Sequence, residues 1–233
     1  MQKMMNLPRH IYRLLLRTAL PILVGTLCSQ AQTPTPTPTQ WQGNSTEWRS
    51  ASNWSADIPN ATRTARISQT NLDPFVPAAL SGDTAATYDL EILESGNLYF
   101  DSDGILIIAG TLMKIQNKGV INLGTGKIIA RSAITFRNGG TFNAGDGTLE
   151  FSGLTWENQA GPTFDPGTST VVFTGTESQT LIIDDSASFS FNNLVINTTG
   201  EMTISGALTV TGDCSLATGS SINISAGGSF TVE

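Results

Sequence analysis

Three tryptophans, Trp41, Trp48 and Trp54, fall within fourteen residues of one another. Flat indoles at this density can stack on the C–H faces of sugar rings, which makes these three the candidate ligand-binding residues. The stronger reading is structural, since the same bulky side chains plug the open end of an apolar interior. Carboxylates offer a second chemistry. Asp101 and Asp103 in DSDG, and the neighbours Asp184 and Asp185, are the densest oxygen donors and would suit calcium. Neither set continues into a metal-binding loop, because Tyr99 and Gly110 stand where further ligands are needed, so turn formation is their expected role. Glu150 and Glu157 are the acids that glycoside hydrolysis would draw on, and Lys114, Lys118, Lys127, Arg131 and Arg137 are the bases open to a polysaccharide lyase. The five cations are spread along the chain like a solvated surface. No catalytic residue, metal ligand or cofactor is therefore assigned, and the chain is not expected to be an enzyme.

The termini and composition narrow the choice further. Lys3, Arg9, Arg13 and Arg17 precede or enter the apolar stretches Leu14–Leu16 and Ala19–Cys28, which end in Ser29-Gln30-Ala31, the pattern of a secretory signal peptide over residues 1–31. Acylation of Cys28 is the rival reading, opposed by the bulky Leu27 before it. Cleavage after Ala31 leaves 202 residues with eight cations against 19 carboxylates, a net charge of −11. The only histidine, His10, leaves with the signal, and with it every histidine-dependent triad or zinc site. Cys214 remains as a lone thiol, so no internal disulfide is available. Such a charge repels phosphate backbones, so nucleic acid is not an expected partner. No apolar run in the mature chain is long enough to span a membrane. The expected location is secreted or at the cell surface.

The mature chain is organised in three stretches. Residues 32–40 contain alternating Thr-Pro, an extended polyproline spacer. Residues 41–79 hold the three tryptophans and read as an N-terminal cap. From about residue 80, apolar pairs separated by one polar residue recur between Gly, Asn and Ser breaks, as in Leu194/Ile196, Met202/Ile204 and Leu208/Val210. That is strand punctuation, and the domain is all-β. GDGTLEFSG at 145–153 aligns with GTSTVVFTG at 167–175, an offset of 22 residues. Three short strands fill about the same interval, so the spacing predicts a β-solenoid of about 20–22 residues per coil, with Gly or Asn at the corners. The alternative is a β-sandwich, in which Asp103-Gly104, Asn138-Gly139 and Asp146-Gly147 would be hairpin turns.

Trp41, Gly43, Trp48, Ala51, Asn53, Trp54 and Pro59 form a W-x-G, W, A-x-N-W, P series that resembles the head module of large secreted bacterial surface proteins. Phe173, Gly175, Gln179, Phe191, Asn192, Asn193 and Leu194 are similar to the repeats that follow such heads in adhesin-like and autotransporter-like proteins. The resemblance implies a right-handed parallel β-helix displayed outside the cell, with no catalytic residues to carry over. Such proteins continue into further repeats and an anchor, whereas this sequence stops at Glu233 within a strand pattern with no visible sorting signal, so the expectation is either that the solenoid over residues 80–233 is truncated or that its open end pairs with a partner or a second copy. The expected function is a surface structural or adhesive module presenting a rigid acidic face; the alternative is a carbohydrate-binding module or a polysaccharide-active β-helix enzyme. The expected partners are an extracellular glycan or surface polymer and, end to end, a second copy of the chain.

Overall fold

Alternation of buried and outward-facing side chains is what builds this molecule. In the strands Ile105–Ile108, Lys127–Ala130 and Thr148–Phe151, every second side chain (Leu106, Ile108, Ile128, Ala130, Leu149, Phe151) is buried. Successive side chains of a strand point to opposite sides, so each segment has one dry face and one wet one. A computed structural model describes residues 36–68, 73, 75–76, 84–100, 102–159, 161–184 and 189–233. The signal segment, the spacer up to Thr35, Asp101 and Asp185 lie outside the described residues.

The strands wind into coils. One coil consists of Ala133–Phe136, Thr141–Asn143 and Thr148–Phe151, and the next of Thr155–Asn158, Thr163–Asp165 and Thr170–Gly175. Each strand pairs in parallel with its counterpart one coil on: Ile134 with Trp156, Phe142 with Phe164, Leu149 with Val171. The pairing of Thr148–Phe151 with Thr170–Phe173 is the 22-residue register of the sequence repeat. The first face is a sheet of nine strands and the second has seven. The third is divided into sheets of five and three strands, the break falling between Thr163–Asp165 and Phe189–Phe191. Nine strands on one face correspond to eight windings, spaced about 4.8 Å apart.

This is a parallel β-solenoid. Among the described residues every strand ladder is parallel, which is incompatible with the two antiparallel layers of a sandwich. Asn138, Gly139 and Asp103 are corners between successive strands of a coil, with φ of 53°, 72° and 61°. Asn117, stacked beside Asn138, has φ 52°, and Gly124, Gly145 and Gly167 take the left-handed conformation at a second corner. The solenoid also starts earlier than residue 80. Thr39–Gln40, at the end of the expected spacer, pairs with Ala65–Ile67, and Phe75–Val76 opens the third face. Of helix, the described residues contain one 3-10 turn, Ala51–Asn53.

Inside, residues stack in columns along the axis. One runs Ala65, Leu90, Met113, Ile134, Trp156, Leu181, Ile204 and Ile224. Trp156 is fully buried at the level where the third face breaks, and its ring centroid lies 5.3–6.1 Å from those of Phe136, Phe151, Phe164, Phe173, Phe189 and Phe191. Large aromatic area fills the interior there, where backbone pairing on one side is missing. The parallel column Ile67, Ile92, Ile115, Phe136 and Ile183 contains one polar member, Asn158, between Phe136 and Ile183.

Candidate functional surfaces

The tryptophan segment folds as a loop laid over the first coil. Trp41 follows the Thr39–Gln40 strand, and its backbone N–H donates to the carbonyl of Arg66, at 2.9 Å. Gly43, at φ 68°, turns the chain back, so that Trp41 and Trp54 form an antiparallel bridge. Trp54 meets Trp41 and Trp48 edge to face, with centroids 5.0 and 4.9 Å apart, and its indole N–H donates to the carbonyl of Trp48 at 2.7 Å. Asn53 is wholly buried. Its Nδ2 donates to Ser45 Oγ at 2.7 Å and to the Glu47 carbonyl at 2.8 Å, while its Oδ1 accepts the Ser45 N–H at 2.7 Å. The A-x-N-W step is thus a self-contained staple.

This geometry removes the sugar-stacking platform proposed from sequence. Trp41 and Trp48 are 1% exposed and Trp54 is 4% exposed, so no indole face is open to a ligand. The rings instead lie over the end of the apolar interior, with Trp41 in line with the Ile67 column. The reason is energetic: three indoles over an open apolar end gain more by leaving water than by covering it with polar residues.

The carboxylates and cations weighed for catalysis are dispersed. Glu150 lies on the second face, 2.7 Å from Lys127, and Glu157 lies on the first face, with Arg137 at 3.8 Å and Gln159 Nε2 at 3.0 Å. Lys114 pairs with Glu91 at 2.8 Å, and Arg66 approaches the same carboxylate at 2.6 Å, making a ladder across three coils. Burial pushes the Glu91 carboxyl up, but hydrogen bonds and charge from Lys114 and Arg66 together outweigh it and hold the group below the ordinary glutamate value of 4.5. Lys118 sits exposed at a corner with φ 65°, and Arg131 is exposed after its strand. Asp103 is a corner residue, and Asp184 ends the Gln179–Ile183 strand. Among the described residues no group of three or more His, Cys, Asp or Glu is placed to hold a metal ion.

What the fold does assemble is a set of outward columns with one residue per coil. On the first face, Thr155, Thr180 and Thr203 stand in register, followed by Asn223. On the second, Lys127, Thr148, Thr170 and Asn193 align, beside Ile107, Ile129, Glu150, Val172 and Val195. On the third, Asn122, Asn143 and Asp165 align, with Asn143 Nδ2 donating to Asn122 Oδ1 at 2.8 Å. Polar atoms are therefore offered at intervals of about 4.8 Å, a regular lattice rather than a converging cleft.

Charge is distributed unevenly along these columns. Every lysine and arginine lies at or before Arg137, while residues 138–233 carry ten carboxylates and no cation. This asymmetry is plain in the sequence once the chain is divided at Arg137. Two further residues with clear work escape any motif for chemistry. Buried Gln179 donates through Nε2 to the Gly153 and Phe151 carbonyls at 2.9 and 3.3 Å, and Asn193 accepts the Asp213 N–H at 3.0 Å while donating to the Thr168 carbonyl at 3.2 Å. Both belong to the repeat pattern seen in the sequence, and both tie neighbouring coils together.

No protein-family model matches the chain, and comparison with curated proteins and with solved structures returns no match.

Proposed function

We propose that the chain is an exported surface module whose role is structural or adhesive display. The supporting observation is the in-register stacking of outward Thr and Asn columns on a rod with an apolar interior. Each position repeats with the same orientation and spacing, so a repetitive polymer meets many equivalent weak contacts. Joining such contacts raises avidity by roughly 10²–10⁴ without one strong site. The signal-like first 31 residues and the acidic balance of the remainder support an extracellular setting for such contacts.

The reading is tested in two steps. N-terminal sequencing of the protein recovered from outside its native cells should begin at Gln32; recovery only from the cytoplasm overturns export. Beads carrying the protein at high density should then bind polysaccharide-coated surfaces far better than the monomer does, and replacing Thr155, Thr180 and Thr203 together with arginine should abolish the gain while leaving the thermal midpoint nearly unchanged. Equal binding by the triple variant would remove the column from the mechanism, and release of sugar products by the purified protein would establish an enzyme instead.

A further inference from the structure

The second face breaks the rule that outward positions are polar. Its strands Ile105–Ile108, Lys127–Ala130, Thr170–Gly175 and Asn193–Thr198 read ILII, KIIA, TVVFTG and NLVINT, with apolar residues on both sides of the sheet. Runs of that kind belong to sheets covered on both faces. The ladder register puts the outward members in one column, Ala86, Ile107, Ile129, Glu150, Val172 and Val195, all partly exposed. From Ile107 to Val195 every strand of this column has a neighbour on both sides, so no sheet edge is involved. The equivalent columns elsewhere are mainly polar. On the first face Arg66, Glu91, Lys114, Thr135 and Glu157 precede Ile182, and on the third Tyr99, Asn122 and Asn143 lead to Asp165.

The order of residues along the column selects the occupant. Consider a second copy related by a two-fold axis that runs parallel to the strands, between the coils of Lys127 and Glu150. Ile107 then faces the partner's Val172 and Ala86 faces the partner's Val195, each contact occurring twice. At the centre Glu150 faces the partner's Ile129, beside the partner's Lys127, which lies two residues away on the same side of the same strand. Lys127 and Glu150 already pair at 2.7 Å within one chain, so the axis gathers two lysines and two glutamates into a neutral group. Charge at longer range favours the same sense. Every cation lies at or before Arg137, and residues 138–233 carry ten carboxylates, so antiparallel rods set each cationic part along the other's acidic part. Parallel rods would align the two acidic parts. We infer that the second face is the isologous interface of an antiparallel dimer, two sheets packed about 10 Å apart. The patch covers roughly 29 by 13 Å, at the small end for a specific interface, so the dimer is weak and reversible.

Sedimentation of the full chain over a range of concentrations should show a monomer–dimer equilibrium in the micromolar range. Val172→Glu should weaken it at least ~10-fold by burying an unpaired charge. Lys127→Glu should also weaken it, and Lys127→Glu combined with Glu150→Lys should restore it. Near-ultraviolet circular dichroism of the tryptophan loop shows that each variant is folded. The antiparallel sense is read by cross-linking in a Cys214→Ser background. A thiol reagent spanning about 10 Å, the distance between packed sheets, should join chains carrying Ile107→Cys to chains carrying Val172→Cys and join neither to itself. A chain still monomeric at about 100 μM, a dimer that Val172→Glu leaves intact, or self-joining of either single variant would overturn the inference. So would a monomer that binds a neutral polysaccharide and loses it in Val172→Glu, which would assign the face to a glycan.

Discussion

Asn53 donates a 2.8 Å hydrogen bond to the carbonyl oxygen of Glu47, closing the loop that carries Trp48 and Trp54 over the end of the apolar interior. With Ser45 bonded to both ends of the same amide, Asn53 satisfies three backbone or side-chain groups inside a buried site. Asn53→Ala should therefore leave buried partners unpaired and cost about 2–3 kcal/mol. For a domain of this size that is a fall of roughly 4–12 °C in the thermal midpoint, with the near-ultraviolet tryptophan signal lost first. An unchanged midpoint would show that the loop does not seal the end.

Asn158 makes the opposite prediction. It is 2% exposed in a column of Ile and Phe residues, and its Oδ1 accepts no hydrogen bond. Replacing an unsatisfied buried amide by an apolar group of the same shape removes a desolvation cost. Asn158→Leu is expected to stabilise the solenoid by about 1 kcal/mol, seen as a higher denaturant midpoint with an unchanged slope.

Two corner glycines separate conformation from crowding. Gly124 and Gly167 have similar φ, 57° and 51°. A Cβ on Gly124 meets nothing within 4 Å, whereas one on Gly167 strikes the carbonyl oxygen of Gly145 in the coil before. Gly124→Ala should cost only the left-handed strain, about 1–2 kcal/mol, and Gly167→Ala distinctly more, because the clash is with backbone that cannot swing away. Chemical denaturation of the pair checks this; equal costs would mean that the coils can part at that corner.

The ladder of Arg66, Glu91 and Lys114 predicts a pH dependence. Because the folded carboxyl of Glu91 titrates below its ordinary value of 4.5, its contribution is present in full above that value and is lost as pH falls through the lowered one. Thermal midpoints measured downward from pH 6 should drop in this acid range, and Glu91→Gln should flatten the Glu91 part of the drop. A parallel profile for the variant would assign acid sensitivity to other carboxylates.

The architecture was legible because its two periods are written directly in the residues. Alternation by two assigns inside and outside, and the Thr148/Thr170 match sets the coil length, which the ladder reproduces residue for residue. Asn138-Gly139 illustrates the residual ambiguity, since positive φ serves a hairpin and a solenoid corner equally well. Residue type alone does not say whether an indole faces water, so the sequence left both a structural cap and a sugar platform open; the burial of Trp41 depends on the column beneath it. The break in the third face was not legible either, because it is offset by the aromatic contacts of Trp156 with residues from several coils. The confinement of cations to the part before Arg137 was available from the start and needed only to be counted by position.

Every backbone ladder in this rod joins a strand only to the one before it and the one after it. Cooperativity therefore passes from neighbour to neighbour, and stability grows by increments as turns are added. A lesion in one turn weakens its two interfaces and leaves distant turns intact. Lengthening such a molecule requires only that the inserted segment keep the beat of its neighbours, so reach can change through duplication while the sealed first coil stays as it is.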